Sequence, residues 1–260
     1  MPLPSEPARP TAVITGATAG IGRCFARAVA LDHDLVLVAR DETRLEQVAG
    51  ELEATSSARV QTLSADLATH EGIGKVSALL SDRATGLRLL VNNAGHGLRH
   101  PFAANDVQAE DALLDLLVRA PMRLSHAALG VYLTGGHPGG AVINVSSVAG
   151  FLLRGTYGAH KAWLTSFTRW ADLEYRHAGA RFLALCPGFV RTEFHSRMRV
   201  DPTSVPGWMW LDADEVVTQA LLDLEAGLSL SVPSRRYQAA VAAARYVPDG
   251  LVHRFAALGR

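Results

Sequence analysis

The chain has 260 residues, with 25 basic and 25 acidic side chains and a hydrophobic fraction of 48%. That length and apolar content suit one domain with a sizeable core and exclude a disordered chain. The balanced charge creates no field that would draw the protein to nucleic acid or an anionic membrane.

Residues 1–10 carry four prolines and no apolar run, so a flexible N-terminus is expected there, without the basic-then-apolar layout of a signal peptide. No later stretch stays apolar long enough to span a bilayer. Cys24 and Cys186 are far apart and lack metal-ligand neighbours, and the histidines are scattered. No metal site is expected, the cysteines read as small buried hydrophobes, and the compartment as a reducing cytoplasm.

From Thr11 onward, short Val/Ile/Leu-rich runs alternate with segments of helical period. The runs are Thr11–Thr15, Leu35–Ala39, Val60–Ala65, Leu87–Val91, Ala141–Val145, Phe182–Leu185 and Leu228–Val232. Several are apolar at almost every position, as strands are when helices cover both faces of their sheet. Asp41 before Glu42–Ala54, and Asp212 with Glu215 before Val216–Ala226, are helix-start signals. The expected fold is α/β, a doubly wound parallel seven-stranded sheet with helices on both faces. Residues 11–260 read as a single domain. In such sheets ligands bind beyond the carboxyl ends of the strands.

The first such loop is Thr15-Gly16-Ala17-Thr18-Ala19-Gly20-Ile21-Gly22, followed by a helix over Arg23–Ala30. Gly16 permits a tight turn, Gly20 lets the backbone approach a pyrophosphate, and Gly22 allows helix and strand to pack closely. The helix N-terminus offers free N–H groups to phosphates. Arg40, with Ala39 before it, stands where an acidic residue would bind adenosine ribose hydroxyls. A guanidinium there can pair with a 2′-phosphate and select NADP(H). Later in the chain, Lys161 follows Tyr157 by one helical turn, and its charge is expected to lower the phenol pKa from about 10. The Ser146-Ser147 pair at the end of the fifth run supplies a hydroxyl that can orient a carbonyl.

The TGxxxGxG spacing resembles the short-chain dehydrogenase/reductase family. Asn92-Asn93-Ala94-Gly95, Ser146-Ser147, Tyr157-x-x-x-Lys161 and Pro187-Gly188 leading into Val190-Arg191-Thr192 are similar to its other motifs, in the same order. The resemblance implies a Rossmann-like fold and an oxidoreductase with Tyr157 as acid/base, Lys161 as its partner and cofactor ligand, and Ser147 as the orienting hydroxyl. It implies a nicotinamide cofactor held by Gly16, Thr18, Ala19, Gly20, Ile21 and Gly22, by Asp66 and Leu67 at the adenine, and by Asn93, Ala94 and Gly95. Pro187, Gly188, Val190 and Thr192 complete that set, Thr192 at the carboxamide. It further implies a homodimer or homotetramer acting on a small-molecule carbonyl or alcohol.

Two departures from the family stand out. Ser147 and Tyr157 are three positions closer than is usual, which shortens the loop Val148–Thr156. Leu117 occupies the place of an asparagine that holds a water beside the lysine, leaving a low-turnover nucleotide sensor as the alternative. Substrate choice is assigned to residues 96–102, 151–156 and 193–211, the last a lid with Phe194, Met198, Pro202, Trp208, Met209 and Trp210. That composition suggests an apolar, bulky substrate, while Arg154 and Arg191 keep an anionic one open. His160 is read as structural. A C-terminal helical extension over about 235–260, amphipathic across Arg235–Tyr246, is expected to cover the core or a second subunit rather than a membrane.

Overall fold

The first apolar run begins at a tethered point. The Arg9 guanidinium donates to the Ala30 carbonyl at 3.0 Å, and the Pro10 carbonyl accepts from Asp34 N at 2.9 Å. The computed structural model describes residues 9–134, 139–193 and 205–244. Most of the segment expected to be flexible, residues 1–8, lies outside the described residues.

Strand β1 (Thr11–Thr15) leads through α1 (Gly20–Val29) to β2 (Asp34–Ala39), then α2 (Glu42–Thr55), β3 (Val60–Ser64), α3 (His70–Ser81) and β4 (Leu87–Asn92). The second half runs through α4 (Val107–Leu114), a π-helical turn (Asp115–Arg119) and α5 (Ala120–Thr134). It continues with β5 (Gly140–Val145), α6 (Gly155–Tyr175) and β6 (Ala180–Leu185). Two-residue strands β7 (Phe189–Val190) and β8 (Trp210–Leu211) precede α7 (Ala213–Glu225), β9 (Leu230–Ser231) and α8 (Arg235–Ala244).

Seven strands form one parallel sheet in the order β3-β2-β1-β4-β5-β6-β9, as the alternating pattern predicts. Strand order reverses between β1 and β4, and that opens the crevice for a ligand. Alternate side chains along each strand feed two apolar layers. Ile14, Leu35 and Leu37 join Phe25 beneath α1 and α2, whereas Val13, Val36 and Val38 pack with Ile73, Leu80 and Leu124 beneath α3 and α5. Both faces of the inner strands are dry, which explains their unbroken apolar sequence.

Helix starts follow the predicted caps. Asp41 accepts from Arg44 N at 3.1 Å, and Asp212 accepts from Asp214 N at 2.8 Å and Glu215 N at 3.3 Å. The β7–β8 ladder is a feature that the sequence pattern does not carry, because two-residue strands are too short to show a period. Cys186 is buried as expected, whereas Cys24 is only half-buried. Among the described residues no helix is long and apolar enough to cross a membrane, and no cluster of His, Cys, Asp and Glu could hold a metal.

Candidate active site

The loop after β1 is fixed by the loop after β4. Thr15 Oγ1 accepts from Asn93 N at 2.9 Å and Ala94 N at 3.0 Å, while Asn93 Nδ2 donates to the carbonyls of Thr15 and Gly16 at 2.9 and 3.1 Å. The Asn93 donors therefore brace the glycine loop. Gly16 turns with φ 66°, and its N–H reaches the Val38 carbonyl at 2.7 Å. A Cβ on Gly22 would collide with the Gly16 carbonyl and Asn93 Nδ2, so helix and turn touch backbone to backbone. Ala19 gives α1 no side-chain cap, leaving the N–H groups of its first turn for an anion.

A cavity of about 1390 Å³ extends from this loop across the carboxyl ends of the strands. Its wall contains the predicted Gly16, Thr18, Ala19, Gly20, Ile21, Arg40, Asp66, Leu67, Asn93, Ala94, Gly95, Ser147, Tyr157, Lys161, Pro187, Gly188, Val190 and Thr192. Gly22 is absent from the wall because it packs inward against Gly16. The loop and the absence of Cβ atoms fit a dinucleotide.

At the β2 end, Arg40 is 68% exposed in its side chain and lies 4.0 Å from Asp66. Asp66 also closes its own turn by accepting from Ala68 N at 3.0 Å. Arg44, at the start of α2, lines the same cavity and pairs with Glu193 at 3.1 Å. Arg40 lies before the Asp41 cap and Arg44 within the first turns of α2, so no helical period links the two in the sequence and only the cavity wall brings them together.

At the other end, Ser146 and Ser147 have different surroundings. Ser146 is buried, with its hydroxyl 2.8 Å from the Lys161 carbonyl and 2.7 Å from Thr165 Oγ1, so it ties β5 to α6. The Ser147 hydroxyl accepts from Ala149 N at 3.1 Å and is hydrogen-bonded with Tyr157. The shortened loop thus keeps its two ends together by forming a 3₁₀ turn at Val148–Phe151.

Lys161 is buried, donates from Nζ to the Val145 carbonyl at 2.7 Å and lies 5.7 Å from the Tyr157 ring centre. Burial lowers its pKa to about 8. The Tyr157 pKa moves opposite to expectation: burial raises it to about 12, against the lowering effects of the Ser147 hydrogen bond and Arg154. Desolvation of the phenolate outweighs neighbouring charge here, and the lysine addresses the ring and a carbonyl instead of the hydroxyl. His160 is half-buried, and burial lowers its pKa more than Glu110 raises it.

The wall beyond Tyr157 includes Leu98, Leu152, Phe189, Trp208 and Met209, together with Arg154, 5.8 Å from the Phe189 ring centre. Phe194, Met198 and Pro202 of the expected lid lie outside the described residues. Helix α8 contributes Tyr237, Ala240, Val241 and Ala243 to the wall. Of the extension expected over about 235–260, the part beyond residue 244 lies outside the described residues. The Tyr237 ring fills the space of a Cβ on Gly188, and its hydroxyl accepts from Phe189 N at 3.1 Å and donates to the Met209 carbonyl at 2.8 Å. Tyr246 lies outside the described residues.

A glycine turn at the switch point, an uncapped helix behind it and a serine–tyrosine–lysine group along one cavity define a dinucleotide-dependent oxidoreductase. The model of the short chain dehydrogenase family matches residues 10–202, and the chain belongs to that family. Sulfoacetaldehyde reductase 2 of Chromohalobacter salexigens is 34% identical over 188 residues, covering 70% of this chain and 73% of that protein. A short-chain dehydrogenase from Sphingobium yanoikuyae in complex with NADPH is 32% identical, with TM-score 0.82 and coverage of 91% and 94% of the two chains. The bulky-bulky ketone specific alcohol dehydrogenase from Comamonas testosteroni is 29% identical, with TM-score 0.78 and 94% of each chain covered. Solved neighbours occur with NADPH and with NAD.

Proposed function

We propose that this protein is an NADP(H)-dependent reductase of bulky, apolar ketones or aldehydes, reversible toward the alcohol. The observation that carries this reading is the Ser147–Tyr157 hydrogen bond above buried Lys161, in the wall of the cavity that begins at the glycine loop. When bound, the nicotinamide supplies a hydride to the carbonyl carbon. Ser147 orients the carbonyl oxygen, and Tyr157 gives that oxygen its proton as the alcohol forms. Lys161 compensates the charge left on the phenol and holds the ribose hydroxyls. The raised Tyr157 pKa keeps the phenol protonated at neutral pH, as an acid requires. The glycine loop and α1 hold the pyrophosphate, with Asp66 at the adenine and Thr192 at the carboxamide. NADPH oxidation across aliphatic, aromatic and steroid-like ketones tests the reading; tight NADPH binding without turnover would favour the sensor.

Arg40 and Arg44 together support the choice of a 2′-phosphorylated cofactor. Charge-assisted hydrogen bonds are worth roughly 1.5–3 kcal/mol. Arg40→Ala is therefore expected to weaken NADPH binding about ten- to hundredfold and leave NADH binding unchanged. Equal losses for both cofactors in a binding titration would refute the assignment.

The apolar wall supports the bulky substrate, and a neighbour named for bulky-bulky ketones accords with it. Arg154 in the same wall favours one further reading, a small anionic aldehyde, in keeping with the named sulfoacetaldehyde reductase. Sulfonated and carboxylated aldehydes in the substrate panel separate the two.

A homo-oligomer through α5 and α6 belongs to this proposal. Trp163 and Phe167 stack with ring centres 5.1 Å apart, and Trp170 continues the stripe, 51% exposed. Leu173 on α6 and Met122 and Leu133 on α5 are also exposed. Such apolar faces mark association surfaces. Trp170→Glu is expected to shift the protein toward monomer, read by light scattering after gel filtration; an unchanged mass would remove this face from the interface. The free cysteines fit a cytoplasmic location.

A further inference from the structure

Helix α4 packs against α6. In the seam between them, a buried carboxylate oxygen and a buried imidazole nitrogen stand without partners, and the proton chemistry at Tyr157 uses neither. Glu110 on α4 is only 8% exposed. Its Oε2 and the Nδ1 of His160 on α6 are both closed off from solvent, with no hydrogen-bond partner among the described residues. A carboxylate taken out of water is costly unless it is paired and hydrogen-bonded.

The other carboxylate oxygen is accounted for. The His100 carbonyl can only accept, so the Asn105 amide turns its Nδ2 toward it, at 3.1 Å. The second Nδ2 hydrogen goes to Glu110 Oε1 at 2.8 Å. Both hydrogens of that amide are thereby used. His100 and Asn105 line the large cavity, in the stretch that leads from β4 to α4. Glu110 thus anchors the substrate-side wall through Asn105, and its Oε2 is left to accept from elsewhere.

His160 supplies the donor. Burial lowers its pKa more than Glu110 raises it, so at neutral pH the ring carries one hydrogen, on either of its two nitrogens. The charged groups that act on the ring are Glu110 from α4 and Lys161 from its own helix. Of these only the carboxylate can accept a hydrogen bond. A hydrogen on Nε2 would leave two buried acceptors, Nδ1 and Oε2, in the same seam. A hydrogen on Nδ1 satisfies both, and the partner of a ring nitrogen is what selects the tautomer. The terminal torsions of histidine and glutamate are broad, which lets either group turn toward the other. His160 follows Tyr157 by three residues on α6, about one helical turn.

We propose that Glu110 and His160 are positioning residues, joined by an Nδ1–H···Oε2 hydrogen bond that ties the substrate wall, through Asn105, to the helix carrying Tyr157. The bond sets how closely His100 and Asn105 stand to the reacting hydroxyl. Its effect on substrate rests on the catalytic reading of Tyr157; the hydrogen bond itself does not.

Two measurements test the proposal. Nitrogen-15 NMR of the whole protein at about pH 8, well above the ordinary imidazole pKa, should show the His160 hydrogen on Nδ1. The His160 signals are identified by their absence from His160→Asn. A hydrogen on Nε2 overturns the proposal, whether or not a substrate has been found. In the second measurement, His160→Leu removes the donor and should raise KM for the fastest ketone of the panel about three- to tenfold, the range of one hydrogen bond, with the effect on KM rather than kcat. His160→Asn should return KM to near the wild-type value, because its Nδ2 stands about where Nδ1 stood. An unmoved KM in folded His160→Leu, or a His160→Asn as impaired as His160→Leu, overturns the positioning role. His160→Ala takes the place of the leucine variant if that one does not fold. A wild-type protein that turns over no carbonyl would sink the reading of Tyr157 and the KM effect with it, while a hydrogen on Nδ1 would still establish the bridge.

Discussion

Tyr157→Phe is expected to reduce kcat for carbonyl reduction by about 10²–10⁴-fold, the range that a positioned acid contributes. The variant loses only the hydroxyl. The ring keeps its place beside Lys161, so NADPH affinity should stay within about twofold of wild type. The rest of the argument lies in the electrostatics of the pair. Burial holds Tyr157 neutral with a pKa near about 12 and brings Lys161 down to about 8. Below about pH 8 the pair thus carries a protonated phenol and an ammonium, the state that favours proton donation to a new alkoxide. As pH rises through about 8 Lys161 loses its proton, and with it the positive charge that compensates a forming phenolate, so reduction should slow. A Tyr157→Phe enzyme that kept more than a tenth of wild-type turnover would remove the residue from the chemistry.

Gly22→Ala should be nearly as damaging, by a different route. The added Cβ meets backbone, the Gly16 carbonyl, and the Asn93 amide that braces the loop. No rotation of a side chain relieves that contact, so either α1 moves off β1 or the Gly16 turn opens. Both displace the N–H groups that face the pyrophosphate. Cofactor affinity is expected to fall at least about a hundredfold, equivalent to about 2.7 kcal/mol, for NADPH and NADH alike. Loss of both cofactors separates this effect from that of Arg40→Ala, which bears on NADPH alone. Fluorescence titration of the reduced cofactor is the direct measurement, and an unchanged dissociation constant would show that the close contact is dispensable.

The sheet was legible because its inner strands are buried on both faces and so write apolar runs into the sequence. Leu35–Ala39 is one of them, with four consecutive buried residues. The motif residues were legible because each loop follows such a run. Other features left weaker traces. The β7–β8 ladder spans two residues on each side, and the place of α8 in the cavity wall depends on a contact between Gly188 and Tyr237, far apart in the chain. Arg44 reads as one more surface charge on α2 until the cavity wall is known. The direction of the Tyr157 pKa was missed for a related reason: sequence spacing gives the neighbouring charge, but only the fold gives the burial that outweighs it.

The Gly188–Tyr237 contact also sets an order of events during synthesis. The glycine loop, Ser147, Tyr157 and Lys161 all precede residue 162, yet part of the wall is supplied by Tyr237, Ala240, Val241 and Ala243. A nascent chain can therefore assemble its nucleotide cradle while the substrate side is still open to water. The chamber gains this part of its wall only as α8 docks, with the Tyr237 hydroxyl bridging Phe189 and Met209 as the latch.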